Sequence, residues 1–291
     1  VARLAATMIA SPRLPLTQAR AVSMLRSLRL GAGQIVFVHS SLSAMGRVEG
    51  GADTVVDGLL EVLGPEGTLV VPAFTPSHRS TGSIFDPATD ASEVGQITEV
   101  VRNRPGAFRS RHLRESMAAL GRVAEEMMRV HSAAAWAADG PFWKLYEWDA
   151  RILLLGVPYL RSTFWHLIEQ MVQPVYGRWR DYEAWVRESD GIVRPLPTRG
   201  FGPKTGCATD FNKLGSRLEA AGLVNVGAMG NAIARLYRAR DAFDFGVAEF
   251  RKDPELFLKT TDGLTELRDG VIVGEYNNEK SVVDSALVYS R

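Results

Sequence analysis

Apolar residues along this chain change period several times, and the changes mark out helices and strands in alternation. Ala19, Val22, Leu25 and Leu28 recur at helical spacing within residues 15–30, and Gly31 and Gly33 break the pattern. Residues 35–39 form a short β-rich run that ends in the polar pair Ser40-Ser41. After Gly50-Gly51, apolar positions within residues 54–63 return at intervals of three and four and stop at Gly64-Pro65. Residues 67–71 make a second apolar run, ended by Pro72. Strand, helix and strand in such close succession predict a βαβ unit on a parallel sheet.

Helical spacing also predicts helices over residues 96–103, 121–131, 211–221 and 228–239. The run at 152–157, bounded by Gly156 and Pro158, predicts a buried strand, with a helix starting after Arg161. Residues 182–186 and 191–195 predict a β excursion that turns at Asp190-Gly191. Near the end, Asp262-Gly263 and Asp269-Gly270 surround residues 264–267 and 271–276, which predicts a terminal hairpin or meander. There is no repeat, low-complexity tract or long linker. The expected architecture is α/β: one compact domain over 1–291, with a central mixed, partly parallel sheet flanked by helices, a smaller β excursion and a C-terminal hairpin.

Composition narrows the function classes. The chain has 291 residues, 46% hydrophobic and 23% charged, enough to bury a sizeable core. Its 34 basic and 33 acidic residues leave a net charge of +1, which argues against a nucleic-acid partner or an anionic membrane surface. One cysteine, Cys207, rules out an internal disulfide framework and fits a reducing cytoplasm. No apolar run approaches membrane-spanning length. The opening stretch, residues 1–10, is too short and poorly flanked for a signal peptide. A soluble cytoplasmic protein is expected.

The strongest chemical signal is His166 followed by Glu169. On a helix, residues three apart share a face, so the carboxylate can hold one ring nitrogen while the other serves as a base near neutral pH. An HxxE pair alone is common on surface helices, and a core histidine satisfied by its glutamate is the plainer alternative. The Ser40-Ser41-Leu42 loop follows a strand and precedes glycines, as a phosphate- or pantetheine-facing loop does, although an ordinary strand-end turn has the same look.

Several ordered segments resemble one family. They include Val38-His39-Ser40-Ser41-Leu42, Gly50-Gly51-Ala52-Asp53, Leu63-Gly64-Pro65-Glu66-Gly67-Thr68-Leu69 and Phe85-Asp86-Pro87-Ala88-Thr89. Arg104-Pro105-Gly106 follows, then Arg109-Ser110-Arg111-His112 with Ser116 and Ala118-Ala119-Leu120-Gly121. Gly140-Pro141, Leu153-Leu154-Leu155-Gly156-Val157, then Thr163, His166 and Glu169 come in the expected order, with Leu218-Glu219-Ala220-Ala221-Gly222, Gly230-Asn231-Ala232 and Asp253-Pro254 later. Over residues 22–258 the chain resembles the aminoglycoside 3-N-acetyltransferases, with 259–291 as an extension outside the resemblance.

The resemblance implies an α/β acyltransferase that moves an acyl group from acetyl-CoA or another acyl-CoA to an amine without a covalent intermediate, in antibiotic resistance or natural-product biosynthesis. It implies His166 as general base and Glu169 as its partner, with Thr163 or a nearby backbone amide as oxyanion donor. His39, Ser40, Ser41, Leu42, Ser110, Arg111 and Ser116 are then expected at the co-substrate. Arg111 is one of five arginines, with Arg102, Arg104, Arg109 and Arg114, of which one or two are expected on phosphate. Asp86, Asp139 and Glu169 would make a small acidic rim for the acceptor, and Phe164-Trp165 would narrow that side. Three departures stand out: Leu113, Arg114 and Glu115 after His112, the bulky Phe164-Trp165, and the tail.

Two other readings stay open: a hydrolase or thioesterase with water in place of the amine, and a silent coenzyme A binder. A non-aminoglycoside acceptor is a further alternative. Cys207 has no histidine near it in sequence and reads as a small buried residue. Residues 227–230 look like a scrap of a dinucleotide fingerprint and carry nothing. His39, His78, His112 and His131 lack metal-ligand spacing, so no metal site is expected. The expected partner is a small-molecule amine, with a homodimer left open.

Overall fold

The computed structural model describes residues 14–78 and 82–259, together with the strand backbones at 266–268 and 271–273. The leader expectation for residues 1–10 lies outside the described residues. The first helix, α1 (Gln18–Ser27), is capped by the Thr17 hydroxyl, which accepts the Arg20 N–H. Strand β1 (Ile35–Ser40), helix α2 (Gly51–Leu63) and strand β2 (Thr68–Pro72) follow. β1 and β2 pair in parallel with Val36 opposite Leu69, so the βαβ unit is as the periodicity predicts.

Next come β3 (Ser83–Phe85), α3 (Gln96–Asn103), β4 (Phe108–Arg109), β5 (Met117–Gly121) and α4 (Ala124–Arg129). Helix α5 (Pro141–Glu147) leads into β6 (Arg151–Leu155) and α6 (Trp165–Val172). The later elements are β7 (Gly177–Tyr182), β8 (Ala184–Arg187), β9 (Val193–Pro195), β10 (Thr198–Pro203), α7 (Asn212–Ala220), β11 (Val224–Met229), β12 (Ala232–Arg238) and α8 (Ala239–Lys252). Last is the hairpin β13 (Glu266–Arg268) with β14 (Val271–Val273), antiparallel as expected; its turn and the rest of the tail lie outside the described residues.

Seven strands form the central mixed sheet in the order β11-β12-β6-β1-β2-β5-β4. β1 is parallel to both neighbours, β2 and β6, and the remaining pairs are antiparallel. Alternation in the central strands feeds two cores. Val36, Val38, Leu69, Val71, Leu153 and Leu155 pack on α1, α2 and α3. Phe37, Val70, Ile152 and Leu154 face the other way and pack with Phe142, Ile168, Leu214 and Phe243 of α5 to α8. The result is three layers, helix on sheet on helix.

Because β1 has a parallel neighbour on each side, the carboxyl ends of β1, β2 and β6 open together at a switch point, the place where α/β sheets bind ligands. Gly156 carries the chain away from β6 there. Its φ is +72°, and a Cβ would sit 2.7 Å from the Ala44 side chain and 3.0 Å from that of Ala232, so glycine is required.

Two helix expectations fail. Residues 228–239 are the β11–β12 hairpin, turning at Gly230-Asn231 with Gly230 at φ +62°. Ala232, Ala234 and Leu236 face the α1–α2 core while Ile233 is exposed, a period of two, and pairing of β12 with β6 overrides the helix preference of alanine. The glycines at 227–230 therefore belong to a strand and its turn. The helix expected over 121–131 shrinks to α4, since Gly121 ends β5. The β excursion over 182–195 holds as β8 with β9, joined by the unexpected β3, and beside it lies the antiparallel ribbon β7–β10.

Candidate active site

His166 stands in the first turn of α6. Its Nδ1 lies 2.7 Å from Glu169 Oε2 one turn on, and the glutamate is fully buried while the ring keeps 17% exposure. A buried carboxylate facing Nδ1 selects the tautomer with the proton there, so Nε2 presents its lone pair outward. The ring is gripped by Trp136 at 4.8 Å and by the edge of Phe211 at 5.0 Å.

His39, at the end of β1, meets the same segment. Its Nε2 accepts the Thr163 backbone N–H at 3.0 Å and lies 2.9 Å from the Thr163 hydroxyl. Burial pulls its pKa down to about 3, so this imidazole is neutral at physiological pH. The Thr163 amide is thereby committed, and the amides of Trp165, His166 and Leu167 bond to carbonyls of residues 162, 163 and 164. Of the expected oxyanion donors, this leaves the Phe164 amide and the Thr163 hydroxyl, whose proton rests on His39 Nε2.

A cavity of about 610 Å³ opens at the carboxyl ends of β1 and β2, and His166 forms part of its wall. His39, Ser40, Ser41, Leu42 and Thr163, all singled out from sequence, line it. Sequence reasoning missed the rest. The starts of α2 and α3 both reach the cavity, at Gly51 and at Gln96 to Thr98, and neither has a side-chain cap. Bare helix N-termini present N–H groups and a positive dipole end. Arg161, two residues before Thr163, is the one lining side chain of permanent charge among the described residues, and Phe74, Val48 and Leu160 supply apolar wall.

Other expected site residues are absent from this wall. Ser110 Oγ accepts the Met117 N–H at 2.8 Å, and Ser116 Oγ donates to the Ala73 carbonyl at 2.7 Å. Both are buried braces between strands, and neither lines the cavity. Arg111 pairs with Glu188 at 2.5 Å, Arg102 with Glu99, and Arg104 with Asp53 and Asp57. Arg109 is half-buried on the Ala73 and Asp90 carbonyls, and Arg114 bonds Tyr182. All five arginines thus hold protein partners, and none lines the cavity. Asp86 caps the Ala88 and Thr89 amides and faces Arg187, while Asp139 is exposed on the loop before α5. Trp165 is fully buried, stacked on Tyr237 at 5.3 Å with its Nε1 donating to the Tyr159 carbonyl at 3.0 Å, so it braces α6 from the core. Cys207 is half-buried, and burial raises its thiol pKa, the wrong direction for a nucleophile.

A second pair escaped notice although its spacing is the same. His112 Nδ1 lies 2.9 Å from Glu115 Oε2, and both residues are buried. Burial alone pushes the Glu115 carboxyl up, but His112, Arg114 and His166 together hold it below the ordinary carboxylate range.

The family described as Aminoglycoside 3-N-acetyltransferase matches residues 37–251. Aminoglycoside N(3)-acetyltransferase VII of Streptomyces paromomycinus is 33% identical over 267 residues, covering 80% of this chain and 91% of that protein. The crystal structure of aminoglycoside acetyltransferase AAC(3)-Xa superposes with a TM-score of 0.75 at 32% identity, covering 82% of this chain and 93% of its own. AAC-VIa bound to sisomicin gives 0.74 at 25% identity, covering 82% and 98%. The chain is therefore an acyltransferase that belongs to the aminoglycoside 3-N-acetyltransferase family.

Proposed function

We propose that this enzyme transfers an acetyl or similar acyl group from an acyl-CoA directly to a primary amine of a small molecule, with His166 as general base. The observation that carries this reading is the His166–Glu169 dyad on the wall of a cavity that suits an anionic, partly apolar ligand. Coenzyme A needs cationic and N–H contacts for its phosphates and an apolar slot for pantetheine. The bare starts of α2 and α3 with Arg161 fit the first need, and Leu42, Val48, Phe74 and Leu160 fit the second.

Bound acyl-CoA supplies an activated acyl group with a thiolate leaving group. The protein's own work is then orientation and proton handling. Glu169 fixes the ring and stabilises the imidazolium that forms when Nε2 takes the proton of the attacking amine. The Thr163 hydroxyl, which donates to neutral His39 Nε2 at rest, is the proposed donor to the carbonyl oxygen, its proton turning from the imidazole to that oxygen as charge develops there. General-base assistance contributes roughly 100- to 10,000-fold, so positioning in the cavity supplies much of the remainder.

Aminoglycosides are the acceptors in the names of the relatives, and sisomicin occupies the AAC-VIa structure. A non-aminoglycoside amine is the second reading, favoured because among the described residues no Asp or Glu lines the cavity and Asp86 is ion-paired. Among the described residues no helix is long and apolar enough to cross a membrane; the proposed location, the cytoplasm, rests on the single cysteine. The test is release of free coenzyme A thiol from acetyl-CoA, with and without a panel of amines, in the parent and in H166A. Amine-dependent release that collapses in the variant is expected. Equal release without any amine would make the enzyme a hydrolase, and an unimpaired H166A would remove the general base.

A further inference from the structure

The tetrahedral carbon of acyl transfer carries four substituents, and three of them have places in this cavity. As the C–N bond forms and the C–S bond breaks, the attacking nitrogen sits at His166 Nε2, which takes its proton and passes it to the departing thiolate. The oxygen lies beside the Thr163 hydroxyl. The sulfur leads out along the donor slot, toward the bare starts of α2 and α3 and Arg161. The fourth substituent is the alkyl part of the acyl group. It is left with the apolar wall that remains, made by Pro72, Phe74 and Val94.

Strand register sets that wall next to the reacting centre. Phe37 pairs with Val70, so the parallel ladder carried onward brings His39 beside Pro72, with Phe74 one step further on the same face. His39 is the residue whose Nε2 lies 2.9 Å from the Thr163 hydroxyl. On its other side the Phe74 ring meets Trp136 edge-on at 6.2 Å, and Trp136 lies 4.8 Å from the His166 ring. Phe74 is thus tied to the oxyanion side through Pro72 and to the base through Trp136.

The Phe74 ring has no room to retreat. It is buried against Phe142 at 6.4 Å, and Phe142 in turn packs on Trp136 at 5.0 Å and on Phe37 at 5.6 Å. The backbone is held on both sides. The Ala73 N–H donates to the Ser116 carbonyl at 2.8 Å, and the Thr75 N–H donates to the Arg114 carbonyl at 3.0 Å. The Phe74 carbonyl itself accepts the Glu93 N–H at 2.9 Å. A wall packed in this way does not take up an extra methylene without strain.

We propose that Phe74 closes the donor slot at its acyl end and limits the transferred group to acetyl, excluding longer chains. Leu42, Val48 and Leu160 then remain for pantetheine. This rests on the transferase reading above and names its donor class.

The test measures kcat/KM for thiol release from acetyl-, propionyl- and butyryl-CoA, with kanamycin, sisomicin and n-propylamine as acceptors. The enzymes are the parent, F74A and the milder F74L. The parent should prefer acetyl- to butyryl-CoA by about 100-fold or more, with propionyl-CoA between, since one methylene in an enclosed apolar site changes the rate roughly 10- to 200-fold. That preference should shrink by about tenfold or more in F74A, which opens the wall, and by less in F74L, which removes fewer atoms. A loss of folded enzyme lowers the rates with all donors together and leaves the ratio untouched. A ratio unchanged in both variants therefore overturns the proposal. A parent that uses butyryl-CoA as well as acetyl-CoA overturns it too, and either result leaves the transferase reading standing. No amine-dependent release from any donor removes that reading and the proposal with it, a result that no error about Phe74 produces.

Discussion

The two imidazole–carboxylate pairs of this enzyme share one spacing and differ in everything that matters for chemistry. His166–Glu169 sits on a helix, and His112–Glu115 sits in the irregular segment between β4 and β5. Their Nδ1-to-carboxylate distances are nearly equal, 2.7 and 2.9 Å. On the helix, backbone amides serve the ladder, so the ring nitrogen faces the carboxylate alone. At 112–115 the Glu115 backbone N–H also points at His112 Nδ1, at 2.9 Å, and the ring is a local brace. His166 borders the cavity, whereas His112 is 2% exposed. Spacing makes a dyad, and access to a ligand makes it a base.

Replacement of each histidine by alanine is the sharpest way to separate the pairs. H166A should lose roughly 100- to 10,000-fold in kcat/KM with its fold intact, as read by thiol release and circular dichroism. H112A should lose about 3–5 kcal/mol of stability in urea unfolding, because it strands the buried Glu115 carboxylate, while its folded fraction keeps most of its turnover. A catalytic collapse in well-folded H112A would put both pairs in the mechanism.

Acid provides a graded version of the same contrast. His39 has a folded pKa of about 3 against an ordinary 6.5, so the native state binds fewer protons than the unfolded chain between those values. Stability is whole above pH 6.5 and falls as the pH drops toward 3, by up to about 1.4 kcal/mol per pH unit. His131, also lowered by burial, adds to the loss in the same direction. H39Q should flatten the curve of unfolding free energy between pH 6.5 and 4.5, where carboxylates such as Glu115 are still ionised. An unchanged slope would show that His39 is protonated in the native protein. The smallest effect is expected at the cavity: R161A should raise KM for acetyl-CoA about tenfold with kcat nearly unchanged, and a fall in kcat alone would assign Arg161 to the chemistry.

Much of this was legible in the chain. The βαβ unit, the 152–155 strand and the helix carrying His166 follow from period and punctuation, because each buries a continuous apolar face. The β11–β12 hairpin was not legible, since Ala232 and Ala234 suit either period until a neighbouring strand chooses. Ser110 and Ser116 were expected at the co-substrate, and Trp165 at the acceptor, from a resemblance in motif order, and a motif gives a residue's position without its surroundings. It does not say that Ser110, Ser116 and Trp165 bond the Met117 amide, the Ala73 carbonyl and the Tyr159 carbonyl in the folded chain.

The sequence by itself determined the elements around the switch point and the His166–Glu169 dyad, whose members are three residues apart and need only one helical turn to meet. The resemblance to the acetyltransferases was likewise carried by the order of its motifs. Tertiary structure alone decided that His39 grips Thr163 across 124 residues, and that two helix starts and Arg161 share one cavity. It also decided that one HxxE pair borders that cavity while the other is sealed. The reason is range: local periodicity fixes which side chains share a face, whereas a site is space enclosed by segments far apart in sequence, and only packing of the whole chain sets what faces that space.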